Sequence, residues 1–525
     1  MKNKFYITTP IYYANGSPHL GHAYTTVAAD VLARFHHREG KKVFLSTGMD
    51  EHGAKIQKTA EKAGKNPQEF VDGICGEFKE LFSRLNIKYD GFIRTTDKNH
   101  IKAVQNALQS LFDKGVIYKG VYKGLYCVGC EQFLMESQLI DGKCPDHNIK
   151  PEMCEEESYL LKMEEIKNQL IKKIEKDEFE ISPLKRKNEA LSFLSGQDLQ
   201  DVAISRDKKK VSWGVGLPFD GKHIAYVWVD AFLNYLTVLG WDGSVENIPD
   251  FFPPDIQLVG KDILRVHFTI WPAILLHLEI DLPKEIFAHG MIISGGKKMS
   301  KTLGNVVSPN EMIDKFGVDA TRYLLMTAGR FSNDVDIAIE RMIKKYNAEL
   351  VNGIGNASAR VTKMAEGICF SGKNAKEIIV PENIRKEIFE NCLAAVDFQK
   401  EDFRDIVSFL AEKGKDFLKI KKDFTIYIDF VIRIQWLVDK MIAKEEPWKF
   451  EPKDKEPFIL NCLEAIRIMA QMLYPFMPDT AEKIFEKLGL DAKAELSKTF
   501  DDAVEWGSVE FKNVCKGESL FPRIK

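Results

Sequence analysis

The first residues in the chain whose types and spacing could do chemistry are His19-Leu20-Gly21-His22. They follow a β-rich stretch at 5–9 and a turn signal at 15–18, and they precede apolar residues that recur every four positions as one helical stripe. We expect Ser17 to cap this helix and Pro18 to occupy its first position, which puts both imidazoles beside unpaired backbone N–H groups. A helix N-terminus attracts anions, and imidazoles there can hydrogen-bond phosphate oxygens. Taken alone, the four-residue pattern favours a pair of surface or capping histidines.

A second segment with phosphate chemistry lies far downstream, at Lys298-Met299-Ser300-Lys301. Two glycines at 295–296 precede it and give the backbone freedom to move. Lys298 and Lys301 could then swing onto a triphosphate and neutralise the leaving pyrophosphate. An ordinary exposed lysine loop is the alternative on local composition.

Three cysteines and a histidine have the spacing of metal ligands. The pairs Cys127-x-x-Cys130 and Cys144-x-x-His147 predict a tetrahedral Zn(II) site with three thiolates and one imidazole. Four protein ligands leave no open position, so the site is predicted to be structural. Cys154 is close enough in sequence to replace His147. Buried, unligated cysteines are a weak alternative, because two spaced pairs rarely arise by chance.

Composition excludes several classes of protein. Apolar residues make up 45% and charged residues 29% of the 525 positions, which is the balance of a globular protein with several domains. The net charge of −3 argues neither for nor against nucleic acid, so any RNA-binding surface must be local. No apolar run is long enough for a membrane span, and the N-terminus lacks the core of a signal peptide. Nine cysteines are too sparse for a disulfide framework, and we expect a cytoplasmic protein without membrane partners.

The pattern of elements predicts an α/β fold whose sheet is split by an insertion. Strands at 5–9 and 43–46 and a helix at 66–85 open a parallel sheet. Short strands, the cysteines and a charged helix around 164–176 then interrupt it. Alternation resumes with strands at 224–229, 257–260 and 286–293 and helices at 230–239 and 262–278. Beyond position 346 helical stripes dominate, for example at 459–473, which predicts a helical bundle domain.

Both phosphate segments resemble signature motifs of the class I aminoacyl-tRNA synthetases. Residues 19–22 look like the "HIGH" motif and residues 298–302 like "KMSKS", with Leu20 in place of Ile and Thr302 in place of the final Ser. Neither departure changes the phosphate-binding groups. Segments at 10–19, 47–53, 227–231 and 260–273 extend the resemblance to the methionyl-tRNA synthetases over nearly the whole chain. It implies a reaction in which methionine attacks Mg·ATP to form an adenylate, and the 3′ end of initiator or elongator methionine tRNA then accepts the amino acid.

The resemblance also assigns site residues. Asp50 is implied to hold the substrate ammonium, and the implied methionine pocket consists of Ile11, Tyr13, Trp228, Ala231, Tyr235, Ile263 and His267. Aromatic and aliphatic walls with a few polar tips suit a polarizable thioether. The implied ATP site consists of His19, His22, Gly260, Asp262, Lys298 and Lys301, of which His19, His22, Lys298 and Lys301 are also the implied catalytic residues.

The pattern of elements and the family resemblance together divide the chain, and the resemblance adds an RNA-binding end. The expected domains are a Rossmann-like catalytic sheet in two halves (1–115 and 224–293), the connective insertion with its zinc knuckle (116–223), a lysine-loop and stem-contact segment (294–345), and an anticodon-binding helical domain (346–525). Asn356, Arg360 and Trp448 are implied to read anticodon bases. An ion pair for Arg360 and a core position for Trp448 are the alternatives. The chain ends soon after this domain, and we therefore expect a monomer.

Three other classes of protein share parts of this pattern. A branched-chain class I synthetase would have both motifs, but its editing insertion is much longer than the one here. A non-catalytic RNA-binding relative would be expected to have lost the motif histidines or lysines. An adenylate-forming ligase without tRNA would not need the large helical domain.

Overall fold

The computed structural model describes residues 3–127, 132–134, 139–145, 148–196, 199–294, 297–298, 307–370, 375–392 and 400–525. The chain divides into two compact units. The first contains Met1–Ala33 and Lys42–His289, and the second contains Arg34–Lys41 and Gly290–Lys525.

The strands are concentrated before position 340. They are β1 (Lys4–Tyr13), β2 (Lys42–Asp50), β3 (Gly91–Arg94), β4 (Ile117–Cys127), β5 (Gln132–Leu134), β6 (Glu152–Leu161), β7 (Glu180–Ser182), β8 (Val202–Ala203), β9 (Ser205–Asp207), β10 (His223–Ala225), β11 (Ile256–Gly260), β12 (Glu285–His289), β13 (Ile292–Ser294), β14 (Lys297–Lys298) and β15 (Val335–Asp336).

The helices run through the whole chain. Up to position 345 they are α1 (Leu20–Arg38), α2 (Ala54–Lys62), α3 (Pro67–Arg84), α4 (Lys98–Asp113), α5 (Glu164–Glu175), α6 (Leu184–Gly196), α7 (Val227–Phe232), α8 (Asn234–Thr237), α9 (Leu264–Phe268), α10 (Ile270–Leu278), α11 (Pro309–Phe316), α12 (Val318–Met326) and α13 (Ile339–Lys345). A π-helix (Tyr346–Gly355) follows, and then α14 (Asn356–Ala365), α15 (Glu382–Phe389), α16 (Phe403–Lys421), α17 (Phe424–Glu445), a 3-10 turn (Pro447–Lys449), α18 (Pro452–Leu473), α19 (Pro478–Lys487), α20 (Ala492–Ser497) and α21 (Phe500–Val504).

A parallel sheet forms the centre of the first unit. Within the described residues its order is β3-β2-β1-β11-β12-β7, and every neighbouring pair is parallel. Helices cover both faces of such a sheet and so bury its strands. Ligands bind at the carboxyl ends of the strands. In the sheet register Tyr13 lies opposite Asp50, and Gly260 lies opposite His289. The ends of four neighbouring strands therefore meet at one edge, and the α/β fold with a parallel sheet is confirmed.

The connective segment differs in part from the expectation. A separate antiparallel sheet of order β5-β4-β6-β8 carries Cys127 at the end of β4 and Cys154 on β6. Strand β7, however, lies within the predicted insertion and yet pairs with β12 at the edge of the central sheet. Strand β7 has only three residues, which is too short for a period that would reveal a strand from the sequence.

Two predicted strands are wrong in their second halves. The strand expected at 224–229 ends at Ala225, and α7 begins at Val227 with all six of its residues buried. A short apolar run cannot be distinguished from a buried helix by its period alone. The strand expected at 286–293 is two strands, because the extended conformation is interrupted at Gly290. A Cβ there would lie 2.0 Å from the carbonyl oxygen of Asn333, so only glycine fits.

The second unit is mainly helical, as predicted. The stripe expected at 459–473 lies in α18, whose residues from Phe458 to Leu473 are all buried, so this helix is the core of the bundle. No helix in the described ranges is long and apolar enough to cross a membrane.

Candidate active site

The turn at 19–22 begins α1, but it is capped differently from the prediction. The helix starts at Leu20, and the carbonyl of His19 accepts from the N–H of Ala23, so His19 and not Ser17 is the N-cap. Nδ1 of His19 accepts from the N–H of Gly21 at 3.1 Å, and the N–H of His19 donates to Nδ1 of His22 at 3.1 Å. This is a reciprocal cap made by two histidines, analogous to the capping box. The alternative reading of capping histidines is thus correct as geometry.

The cap determines where the ring protons are. A ring nitrogen that accepts a hydrogen bond carries no proton, so each neutral imidazole keeps its proton at Nε2. The rings stack with centroids 3.7 Å apart, and His22 also lies against Tyr12 and Phe78. Burial, and then the neighbouring His19, hold the pKa of His22 well below 6.5. His22 is therefore a neutral donor through Nε2 at physiological pH.

A histidine that the sequence did not single out lies next to this turn. His289 ends β12, and its Nε2 lies 2.8 Å from Oγ1 of Thr25, which is on α1 one turn after Gly21. A Cβ on Gly260 would approach Asp262 Oδ1 to 2.4 Å and His289 Cε1 to 3.9 Å. His289 thus connects the start of α1 to the end of β11, so the predicted ATP residues of these two elements lie close together. No sequence signal pointed to His289, which lies in the middle of the strand predicted at 286–293 and becomes a strand end only in the structure.

The residues predicted to bind methionine lie at the carboxyl edge of the sheet and on the helices above it. Tyr13 contacts Trp228 edge to face, with ring centroids 6.1 Å apart. Trp228 then packs against Phe232 at 5.7 Å, and Phe232 packs edge to face on His267 at 5.0 Å. Phe232 belongs to this aromatic wall but was not among the residues predicted from the sequence. Its spacing of four residues from Trp228 on a helix is the signal that could have found it.

The polar tip of this wall is a buried hydrogen-bonded pair. The Nδ1–H of His267 donates to the carbonyl of Ile263 at 2.8 Å, and Nε2 lies 2.9 Å from the hydroxyl of Tyr235. Since Nδ1 carries the proton, the Tyr235 hydroxyl is the donor to Nε2. Burial lowers the pKa of His267 to about 4, so the ring is neutral. The wall therefore carries no charge, and its polar tip is a hydrogen-bonded pair with a fixed tautomer.

The other residues predicted to bind methionine lie on the same elements. Asp50 ends β2 and is 3% exposed, so its carboxylate is desolvated. Ile11 lies on β1 opposite Gly48, and Ala231 is buried on α7 one turn after Trp228. The indole N–H of Trp228 is buried and has no hydrogen-bond partner among the described residues. A buried, unpaired donor in a candidate pocket is compatible with a ligand or a water molecule as its partner.

The predicted lysine loop belongs to the second unit. The backbone of Lys298 lies on β14, paired with Ile293 of β13. Lys301 lies outside the described residues.

The predicted zinc residues fall partly in the described chain. Cys127, at the end of β4, and Cys144 are both buried and pack together beside Leu139. Cys130 and His147 lie outside the described residues, and within the described ranges no three metal-binding side chains form a group. Two thiols brought together from separate segments are nonetheless the donors that Zn(II) prefers.

The predicted anticodon residues lie on helices of the second unit. Asn356 is exposed at the start of α14, and Arg360 forms an ion pair with Asp439 of α17 at 2.8 Å. The alternative for Arg360 is thus present as geometry, but across two helices. Trp448 is 58% exposed, so the core position considered for it is wrong.

Comparisons with known proteins establish the family of this chain. The model of the family "tRNA synthetases class I (M)" matches residues 5–150 and 146–362. The methionine–tRNA ligase of Clostridium tetani is 41% identical over 529 residues, covering 100% of this chain and 79% of that protein. That of Streptomyces coelicolor is 39% identical over 541 residues, covering 99% and 97%. The structure of Mycobacterium tuberculosis methionyl-tRNA synthetase in complex with methionyl-adenylate is 30% identical, with a TM-score of 0.87, and covers 99% of this chain and 100% of that one. The chain belongs to the class I methionyl-tRNA synthetases, which are methionine–tRNA ligases.

Proposed function

We propose that this chain activates methionine with Mg·ATP at the carboxyl edge of its parallel sheet and transfers it to the 3′ end of initiator and elongator methionine tRNA. The observation that carries the proposal is the reciprocal histidine cap of α1. It presents neutral Nε2–H donors at the N-terminus of a helix that His289 links to Gly260. Donors held in place before the reaction stabilise charge that develops on phosphate.

In the first step the methionine carboxylate attacks the α-phosphate of ATP, and pyrophosphate leaves. His19 and His22 donate hydrogen bonds to phosphate oxygens as charge moves onto them, and the N-terminal N–H groups of α1 add their dipoles. Lys298 and Lys301 neutralise the leaving pyrophosphate. Magnesium enters with ATP and neutralises phosphate charge. Gly260 lets the nucleotide approach the backbone, and Asp262, which is exposed at this edge, accepts from the ribose hydroxyls.

Selection of methionine rests on the aromatic wall and Asp50. Tyr13, Trp228 and the neutral Tyr235–His267 pair surround a thioether without offering a charge. Ile11, Ala231 and Ile263 complete the apolar side. Asp50, almost fully desolvated, is the counterion of the α-ammonium.

We also propose a structural zinc ion in the connective segment, held by Cys127, Cys130, Cys144 and His147. The burial and contact of Cys127 and Cys144 support this ligand set. Zinc bound there would tie the end of β4 to the loop at 139–145.

The helical domain at 346–525 is proposed to bind the anticodon. An exposed indole at Trp448 can stack on an unpaired base, and Asn356 and Arg360 can hydrogen-bond to base edges. The finer domain bounds, the monomeric state and the cytoplasmic location remain predictions.

Exchange of labelled pyrophosphate into ATP, measured with single amino acids, tests the function. We expect exchange with methionine and none with leucine, isoleucine, valine or cysteine, because the wall is shaped for an unbranched thioether. Charging of methionine tRNA transcripts then tests the second step. Exchange driven only by another amino acid would overturn the substrate assignment.

A further inference from the structure

A carboxylate buried behind the candidate methionine pocket bridges two imidazoles. Oδ2 of Asp230 lies 2.7 Å from Nδ1 of His52, and Oδ1 lies 2.9 Å from Nε2 of His100. The side chains of Asp230, His52 and His100 are 1%, 6% and 0% exposed. Since carboxylate oxygens only accept hydrogen bonds, both ring N–H groups are the donors. We call these three residues the Asp230 bridge.

The hydrogen bonds of the Asp230 bridge keep its buried carboxyl group ionised. Burial alone would raise the pKa of Asp230, but His52 and His100, which hydrogen-bond to it, lower that pKa to about 2, so the group is a carboxylate under all physiological conditions. On its other side, Nδ1 of His100 lies 2.7 Å from Oγ1 of Thr237. A buried carboxylate is tolerated only while its donors face it. The three side chains are therefore held in one arrangement.

The bridge joins elements that carry opposite ends of the candidate pocket. Asp230 lies on α7 between Trp228 and Ala231, which are on the apolar wall. Asp50 is the last residue of β2, and His52 lies two residues after it. The third member, His100, is on α4, so the bridge also rests on a helix that carries none of the predicted site residues.

The His52 side of the bridge is also restrained. The imidazole packs edge to face on Trp213, with ring centroids 5.4 Å apart. The Trp213 indole N–H donates to the carbonyl of Glu51, and the N–H of Gly53 donates to the carbonyl of Trp213 at 3.1 Å. Movement of His52 would thus be transmitted to the backbone that carries Asp50.

We propose that Asp230 is a positioning residue for methionine: through His52 and His100 it sets the separation between the Asp50 carboxylate and the aromatic wall on α7. The inference rests on the proposed function, because it assigns the ammonium to Asp50 and the thioether to the wall. Both oxygens of Asp230 are engaged by imidazoles, so it acts through other residues and not on the substrate.

The substitution Asp230→Asn tests the proposal with little change of shape. The amide can accept from one imidazole but directs its own N–H₂ at the other, so one hydrogen bond to a buried group is lost. We expect the KM for methionine in pyrophosphate exchange to rise about tenfold or more, while the KM for ATP and kcat change by less than about threefold. Asp319→Asn is the matched control. Asp319 is a buried carboxylate of the second unit that accepts from the N–H of Thr480, and its substitution should leave the methionine KM unchanged.

Two competitive inhibitors separate positioning from a general loosening of the pocket. 3-(Methylthio)propylamine carries the thioether and the ammonium, whereas 4-(methylthio)butanoic acid lacks the ammonium. Asp230→Asn should weaken the amine by about tenfold and the acid by less than about threefold, because only the amine spans both Asp50 and the wall. Equal weakening of the two inhibitors would overturn the proposal.

A pair of His52 variants keeps the test valid if Asp230→Asn does not fold. In His52→Asn the new amide retains an N–H near the position of Nδ1, so the methionine KM should stay within about threefold of wild type, whereas His52→Ala should reproduce the effect of Asp230→Asn. An unchanged methionine KM in His52→Ala would overturn the positioning role while the wild-type chain still exchanges pyrophosphate with methionine. A wild-type chain without that exchange would instead contradict the proposed function itself.

Discussion

The N–H of His19 donates to Nδ1 of His22 at 3.1 Å, and the two rings stack with centroids 3.7 Å apart. One residue pair therefore starts the helix and also sets the protonation of two rings. Because both Nδ1 atoms accept from the backbone, Nε2–H is the donor that each neutral ring offers outside the turn. Helix capping and phosphate binding are thus performed by different atoms of the same side chains.

This separation can be tested with a double variant that keeps the cap. Asparagine is a preferred N-cap residue, and glutamine three positions later completes a capping box. In His19→Asn/His22→Gln we expect the melting temperature to stay close to wild type while the adenylation rate falls by about 10²- to 10³-fold, as when a donor to developing negative charge is lost. Pyrophosphate exchange and thermal unfolding measure the two effects. The double alanine variant should lose both activity and stability, and full activity in the capped variant would remove the rings from the chemistry.

The buried His267 predicts a pH dependence of stability. Its pKa in the folded chain is about 4, compared with 6.5 for an ordinary histidine. Above pH 6.5 the ring is neutral in both states and contributes nothing. As the pH falls from 6.5 towards 4, only the unfolded chain takes up the proton, so stability decreases, by about 2 kcal/mol at pH 5.

His267→Asn isolates this contribution. The amide can still donate to the Ile263 carbonyl but does not titrate. We expect the difference in unfolding free energy between pH 7 and pH 5, measured with urea, to be smaller in the variant by about 2 kcal/mol. The same pH difference in both proteins would show that His267 is not held neutral.

Metal analysis tests the zinc proposal and its open alternative. We expect about one zinc per chain, lost in Cys127→Ser and Cys144→Ser because each removes a thiolate ligand. Cys154→Ser is the matched control and should retain the metal if His147 is the fourth ligand. Loss of zinc in Cys154→Ser but not in His147→Ala would assign the fourth position to Cys154, and metal-free wild-type protein would contradict the site.

Trp448 predicts a defect confined to the tRNA step. Loss of a stacked base costs about 1 to 3 kcal/mol, so Trp448→Ala should raise the KM for methionine tRNA by about 5- to 150-fold and leave methionine-dependent exchange unchanged. Trp436→Ala, at another exposed tryptophan of the second unit, is the control, with 45% exposure compared with 58% for Trp448. Equal defects in the two variants would indicate a general loss of surface and not a specific base contact.

The sequence by itself determined the elements whose signals are local. The strand–turn–helix around His19, the helix at 66–85 and the helical end are present as predicted, because periodicity and turn residues act over a few positions. The paired motifs at 19–22 and 298–302 also indicated a class I synthetase, and the segments at 10–19, 47–53, 227–231 and 260–273 narrowed the resemblance to the methionyl-tRNA synthetases.

Only the tertiary structure decided which distant residues meet. It assigned β7 to the central sheet and made 227–232 a buried helix, because packing overrides the weak preference of a short apolar run. It also brought Thr25 to His289 and Asp230 to His52 and His100. Hydrogen bonds between buried groups far apart in sequence leave no periodic trace, since each depends on how whole elements pack.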